Sequence, residues 1–176
     1  MLAFNDPSNN KSFRILYDLY NALQLGYSMT PKDAAGIKIT LLLAVKEIID
    51  MRKKAASDEA ILFTELDRND PQKVVNLGGI FEAMAVVAQV INEDEMAFSF
   101  IKENFSFELQ HGKPLGIVTA YRNLTVGYMK QSDFTRAEIA LCEVEQYLKD
   151  NKTHFPSGME HIVKLRKHFE EQKSKH

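Results

Sequence analysis

The chain has 176 residues, of which 45% are hydrophobic, and it balances 22 Lys and Arg against 24 Asp and Glu. A chain of this length can bury roughly 70% of its unfolded surface, which predicts a folded core and excludes general disorder. The near-neutral charge argues against broad nucleic-acid binding, which needs clustered cations. One cysteine, Cys142, excludes an intrachain disulfide and is typical of a reducing compartment.

Signals for export or membrane insertion are missing from the sequence. The first residues lack both the basic head and the long apolar run of a secretory signal. The longest apolar run, Leu41–Val45, is far shorter than the roughly 20 residues that span a bilayer. We therefore expect a cytoplasmic protein without membrane contacts.

Apolar residues with helical spacing begin at Phe13 and predict a first helix that ends near Gly26. Thr30 and Pro31 then suit the cap and first turn of a second helix. The buried side of that helix is predicted to contain Ile37, Leu41, Ala44, Ile48 and Met51.

The segment 57–66 fits either a short helix or a strand, and Asp70-Pro71 predicts the start of the next helix. Its apolar side would contain Val74, Leu77, Phe81, Met84, Ala88 and Ile91.

The spacing of Asn92 and Glu95 is that of a capping box and predicts another helix start. Residues 105–110 also alternate with a period of two, so a small β-hairpin over 105–121 is an alternative to continued helix. Ser157 and Glu160 suggest a capping box for a last helix. Two further apolar stripes precede this last helix. The first contains Ile117, Tyr121, Leu124 and Tyr128, and the second contains Phe134, Ala137, Leu141, Val144 and Leu148.

Together these patterns predict an all-α fold of about seven antiparallel helices packed as helical hairpins, with α+β as the alternative if 105–121 is a hairpin. We expect one helical domain over residues 1–176. It would comprise N-terminal helices at 12–66, hairpins at 71–150 and a C-terminal helix at 157–172.

Residues 120–147 resemble a tetratricopeptide repeat, a helix–turn–helix unit of about 34 residues. The matching positions are Tyr121, Leu124 and Tyr128 on the first helix, a turn at 131–133, and then Phe134, Ala137, Leu141 and Val144 on the second. The chain departs from the family pattern at Thr125 and Ser132, where glycines are usual. A weaker copy covers residues 81–104.

In this family, the first helix of each pair lines a concave surface that binds peptides. The resemblance therefore implies a partner-binding face formed by Thr119, Arg122, Asn123, Val126 and Lys130. Its two cations and its amide could hold an acidic peptide or a terminal carboxylate by charge-assisted hydrogen bonds. The alternative is an ordinary solvated face between apolar stripes.

The expected function is thus a non-enzymatic protein–protein interaction module, an adaptor, regulator or chaperone-like scaffold, with a protein or peptide partner. Nucleic acid is not expected as a partner, whereas homo-oligomers are compatible with this interpretation. We expect no catalytic residues, metal site or cofactor. Two alternatives stay open: a histidine phosphotransfer protein, because His161 precedes Lys164 by one helical turn, and a helical-bundle enzyme with an unrecognised site.

Overall fold

The computed structural model describes residues 2–3, 11–30, 33–63, 74–151 and 156–175. Within these residues the fold is built from seven α-helices: α1 (Lys11–Gln24), α2 (Ala34–Arg52), α3 (Leu77–Val90), α4 (Asp94–His111), α5 (Pro114–Lys130), α6 (Phe134–Asp150) and α7 (Pro156–Lys173). The predicted all-α fold of about seven helices is therefore confirmed.

A small sheet accompanies the helices. Strands β1 (Leu2–Ala3), β2 (Ile61–Phe63) and β3 (Val75–Asn76) lie in the order β1-β2-β3, with β1 parallel and β3 antiparallel to β2. A 3₁₀ turn at Asp58–Ala60 leads into β2. The ambiguous segment 57–66 is thus a turn and a strand over its described part, while its residues 64–66 lie outside the described residues.

The chain divides into two compact units, residues 1–107 and 108–176, with the division inside α4. The single domain predicted for residues 1–176 stays a prediction. In the first unit, α1 packs against α2 and α3. The rings of Phe13 and Phe63, both fully buried, join α1 to the sheet with centroids 4.7 Å apart.

The predicted end of the first helix near Gly26 is confirmed. Gly26 has φ +85°, and the amides of Gly26 and Tyr27 donate to the carbonyls of Leu23 and Ala22. These two bonds are the Schellman motif that closes a helix with a left-handed residue. Along α2, all five residues predicted for its inner side are buried.

The predicted start of the third helix needs correction. Asp70 and Pro71 lie outside the described residues, and α3 begins at Leu77, where the Asn76 side chain accepts a hydrogen bond from the Gly79 amide at 3.0 Å. Val74, which we assigned to the helix stripe, precedes β3 and is half exposed. Asn76 caps α3 because its side-chain oxygen satisfies one of the amides that the first helical turn leaves without a partner.

One prediction about α4 was wrong, and the alternative to its continued helix is excluded. Asn92 does not cap α4; it closes α3 in the left-handed region at φ 60°, as part of a second Schellman motif. Residues 105–121 form no hairpin, because α4 continues to His111 and α5 starts at Pro114. The period of two arises because α4 has buried residues on two sides, including Phe98 and Phe107.

In the second unit, α5 and α6 form a helical hairpin, and α7 contacts both. The core includes Leu141, Val144 and Leu148 of α6 and Phe169 of α7. Ala137 is fully buried, so its short side chain lies where α6 packs closely. The last predicted helix is present as α7, which begins at Pro156. The capping box of Ser157 and Glu160 stays a prediction, because the Ser157 side chain lies outside the described residues.

Candidate protein-interaction surfaces

The five residues of the predicted partner-binding face all lie on α5. Arg122 and Lys130 are exposed, whereas Thr119, Asn123 and Val126 are half-buried. Their successive separations of three, one, three and four residues place the set within about 100° of the helix circumference, on one side of the helix. The structure therefore brings the predicted residues together on one surface.

That surface is partly structural. Val126 packs against the hydrophobic core of the second unit, so it supports the fold as well as the surface. Leu115, one turn before Thr119, is 61% exposed and extends the surface with an apolar side chain. Among the described residues, neither Arg122 nor Lys130 has a carboxylate within ion-pair distance, so both cations can meet an anionic ligand.

A second candidate surface is a cleft between α1 and α2, which we call the α1–α2 cleft. Its volume is about 570 Å³, within the roughly 300–1,000 Å³ typical of binding pockets. Three groups of residues line it: Ile15, Leu19, Ala22 and Leu23 from α1; Tyr27, Ser28 and Met29 from the linker; and Asp33, Gly36, Ile37 and Thr40 at α2.

The described lining of the cleft is mainly apolar, and among those residues the charged side chain is that of Asp33. Its Oδ2 accepts hydrogen bonds from the Thr30 amide and hydroxyl at 3.3 and 2.6 Å. The Asp33 side chain makes no cap hydrogen bond to α2 and is exposed. The carboxylate can therefore interact with a cation that approaches the cleft.

Small residues keep the cleft open. A Cβ atom built on Gly36 would meet no other atom within 4 Å, so the missing side chain leaves real space. Across the cleft, Ala22 is the smallest side chain on the α1 side. The left-handed turn at Gly26 reverses the chain between the two helices, and Tyr27 beyond it is 70% exposed.

Away from the cleft, a hydrogen bond joins α1 to α2. The Ser12 hydroxyl donates to Glu47 Oε1 at 3.1 Å, while Oε2 is buried and has no partner among the described residues. Burial raises the pKa of Glu47, and the bond from Ser12 lowers it in part. Glu47 is therefore a structural group between the helices, and it does not line the cleft.

Arg52, the last residue of α2, is not a free cation. Arg52 donates to Asp58 at 2.8 Å and to Glu103 at 2.9 Å, and its guanidinium lies 5.3 Å from the centre of the Phe81 ring. These contacts neutralise the cation and tie the helix end to the turn before β2 and to α4.

The site for the phosphotransfer alternative lies on α7, where His161 and Lys164 are both exposed. Exposure suits a phosphate acceptor, but it is equally the ordinary position of such residues on a surface helix. Among the described residues, no group of three or more His, Cys, Asp and Glu side chains is arranged to hold a metal ion. In the same residues, no helix is both long and apolar enough to cross a bilayer.

Sequence reasoning missed the α1–α2 cleft and also the outer side of α2. Four large apolar residues on that side are about half exposed or more: Ile39, Leu42, Leu43 and Ile49. The signal was present, because residues 35, 39, 42, 46, 49 and 53 alternate in steps of four and three, as a coiled-coil seam does. It was hidden because α2 is apolar on its inner side too.

No protein-family model matches the chain, and no curated protein or solved structure matches it either.

Proposed function

We propose that the chain is a non-enzymatic protein–protein interaction module that binds a peptide segment of a partner protein in the α1–α2 cleft. The observation that carries this proposal is the cleft itself, an open space of about 570 Å³ with a mainly apolar lining. Apolar pockets with a few polar groups are the usual place where anchor side chains of a partner bind.

The lining defines the chemistry of the peptide. Ile15, Leu19 and Ile37 offer apolar contacts to a leucine-like or aromatic anchor. Asp33 supplies a negative charge, so a Lys or Arg next to the anchor complements the cleft. The proposed ligand is thus a peptide in which an apolar residue adjoins a basic one.

A fluorescence anisotropy measurement tests this with two labelled peptides that differ only in charge, one with leucines and arginines and one with glutamate in place of each arginine. We expect the arginine peptide to bind. Gly36→Leu would abolish binding because its side chain fills the open space, whereas Gly36→Ala, the matched control, adds one carbon and leaves most of it open.

Both Gly36 variants should fold, since replacing a helical glycine removes a cost of about 1 kcal/mol relative to alanine. Asp33→Asn should weaken binding of the arginine peptide about two- to fivefold, the range of an exposed ion pair. The cleft is the wrong site if Gly36→Leu binds the arginine peptide as tightly as the wild type, or if that peptide does not bind at all.

The α5 face is a second candidate for the same function, and it favours the opposite charge. Arg122 and Lys130 are exposed on one side of the helix, which supports an acidic peptide as ligand. Here the glutamate peptide should bind, and Arg122→Ala with Lys130→Ala should weaken it while Gly36→Leu does not. The two peptides and the two sets of variants therefore separate the candidates.

A further inference from the structure

The outer side of α2 carries a regular seam. Six residues in alternating steps of four and three are all exposed, and we call them the α2 seam: Ala35, Ile39, Leu42, Lys46, Ile49 and Lys53. This spacing keeps a line of side chains on one side of a helix for its whole length, which is what a second helix packed alongside requires. Ile39 and Leu42, 60% and 52% exposed, are the most accessible large apolar members.

The α2 seam is separate from the side of α2 that packs into the core. The inner side of α2, with Leu41, Ala44 and Ile48, is buried and points roughly the opposite way. A helix with two apolar sides has packing surface for two neighbours, and within the part of the chain that the structure describes the second side stays exposed.

We infer that the α2 seam is the interface of an antiparallel homodimer, in which α2 of one copy packs against α2 of a second copy. The lysines of the seam select the direction, and the match of its apolar residues to one another selects a second copy as the occupant. A parallel pair in register would oppose Lys46 to Lys46, a layer of like charge, and Lys53 to Lys53, whose ammonium groups each lie 3.3 Å from an Asp50 carboxylate of the same helix. An antiparallel pair centred near residue 44 instead opposes Lys46 to Leu42 and Lys53 to Ala35, so that each lysine stem covers an apolar neighbour while its ammonium reaches water.

The same antiparallel pairing matches the apolar residues to one another. Ile39 of each copy lies opposite Ile49 of the other, which produces two isoleucine layers, one on each side of the axis. Leu43, half exposed beside the seam, lies close to the axis and meets its own copy. The surface is therefore self-complementary, as an isologous two-fold interface must be.

Other cations near the seam do not oppose this pairing. Lys38 is bound to Glu93 at 2.7 Å, and Arg52 is held by Asp58 and Glu103. A helix of 19 residues is about 28 Å long, so the contact is small compared with standard interfaces. The dimer should accordingly be reversible and dependent on concentration.

Sedimentation velocity and equilibrium on the full chain test the inference. The wild type should move from a mass of 20.1 kDa towards twice that value as concentration rises to the solubility limit. Ile39→Glu and Ile49→Glu should each remain monomeric. Ile139→Glu, which replaces a comparably exposed isoleucine on α6, should dimerise like the wild type.

The direction of pairing is tested by a charge-swapped double variant. Ile39→Lys combined with Ile49→Glu places lysine opposite glutamate in both layers of an antiparallel dimer, and like charges opposite each other in a parallel one. The double variant should therefore dimerise more strongly than Ile39→Glu combined with Ile49→Glu, which places glutamate opposite glutamate in both layers. A wild type that stays monomeric at every concentration, a dimer unaffected by Ile39→Glu, or a charge-swapped variant that dimerises no better than the double glutamate variant would each overturn the inference.

Discussion

The turn between α5 and α6 contains a serine in a conformation that favours glycine. Ser132 has φ 57°, its amide donates to the Met129 carbonyl at 3.0 Å, and the Asp133 amide donates to the Tyr128 carbonyl at 2.9 Å. This is the Schellman arrangement, in which the left-handed residue closes the helix. We therefore predict that Ser132→Gly stabilises the protein.

The size of the effect follows from two opposing terms. A side chain in the left-handed region costs roughly 1–2 kcal/mol, while the freedom that glycine adds to the unfolded chain costs roughly 0.4–1 kcal/mol. The net gain for Ser132→Gly is about 0.5–1 kcal/mol. For a chain of this size, that raises Tm by roughly 1–4 °C.

Urea and thermal unfolding followed by circular dichroism measure this difference. Ser132→Ala is the matched control, since it keeps the Cβ atom and should stay within about 0.5 kcal/mol of the wild type. Gly26→Ala is the reciprocal test and should destabilise, because Gly26 has φ +85° in the same kind of turn. If Ser132→Gly is less stable than Ser132→Ala, the conformational argument is refuted.

Three further predictions concern stability. Arg122→Ala with Lys130→Ala should change the unfolding free energy by less than about 0.5 kcal/mol, since both side chains are exposed; unfolding of this variant would show that they are structural. The pKa of Glu47 in the native state lies above its ordinary 4.5, so between these two values the native state binds more protons than the unfolded state. The free energy of unfolding should therefore fall as pH rises from 4.5 through the raised pKa. Urea midpoints measured against pH should lose this slope in Glu47→Gln. Asn104→Ala removes a buried hydrogen bond of 2.9 Å to the Gly78 carbonyl and should cost about 1–3 kcal/mol in urea unfolding; no loss would mean that the bond contributes nothing.

Helix existence could be predicted from the sequence wherever the residues that pack into the core fall on a single side of the helix. The inner residues of α2 and the stripe from Ala137 to Leu148 are buried as expected, because a 3.6-residue period leaves a clear trace in such segments. The 3.6-residue spacing gave no clear prediction for α4, where Phe100 and Phe107 are buried on a side different from that of Phe98. A helix that packs on two sides shows no single stripe, and its alternating aromatics imitate a strand.

Helix ends and the candidate sites were harder to predict for a related reason. Asn92 looks like an N-cap from its spacing to Glu95, yet the same residue type also tolerates the left-handed region and closes the preceding helix. The α1–α2 cleft depends on the space that Gly36 leaves between two helices, which no local pattern records. The α5 face could be grouped from spacing alone because its residues belong to one helix.

The two proposals place two surfaces on one helix, and the helix geometry makes them separable. Asp33, Gly36 and Thr40 border the cleft, whereas the α2 seam is centred roughly 130° around the helix axis. Ile39→Glu should therefore abolish dimerisation and leave binding of the arginine peptide intact, and Gly36→Leu should do the reverse. If either variant abolished both activities without unfolding the chain, the cleft and the seam would be one binding surface, and a partner helix lying across α2 would explain both better than a second copy does.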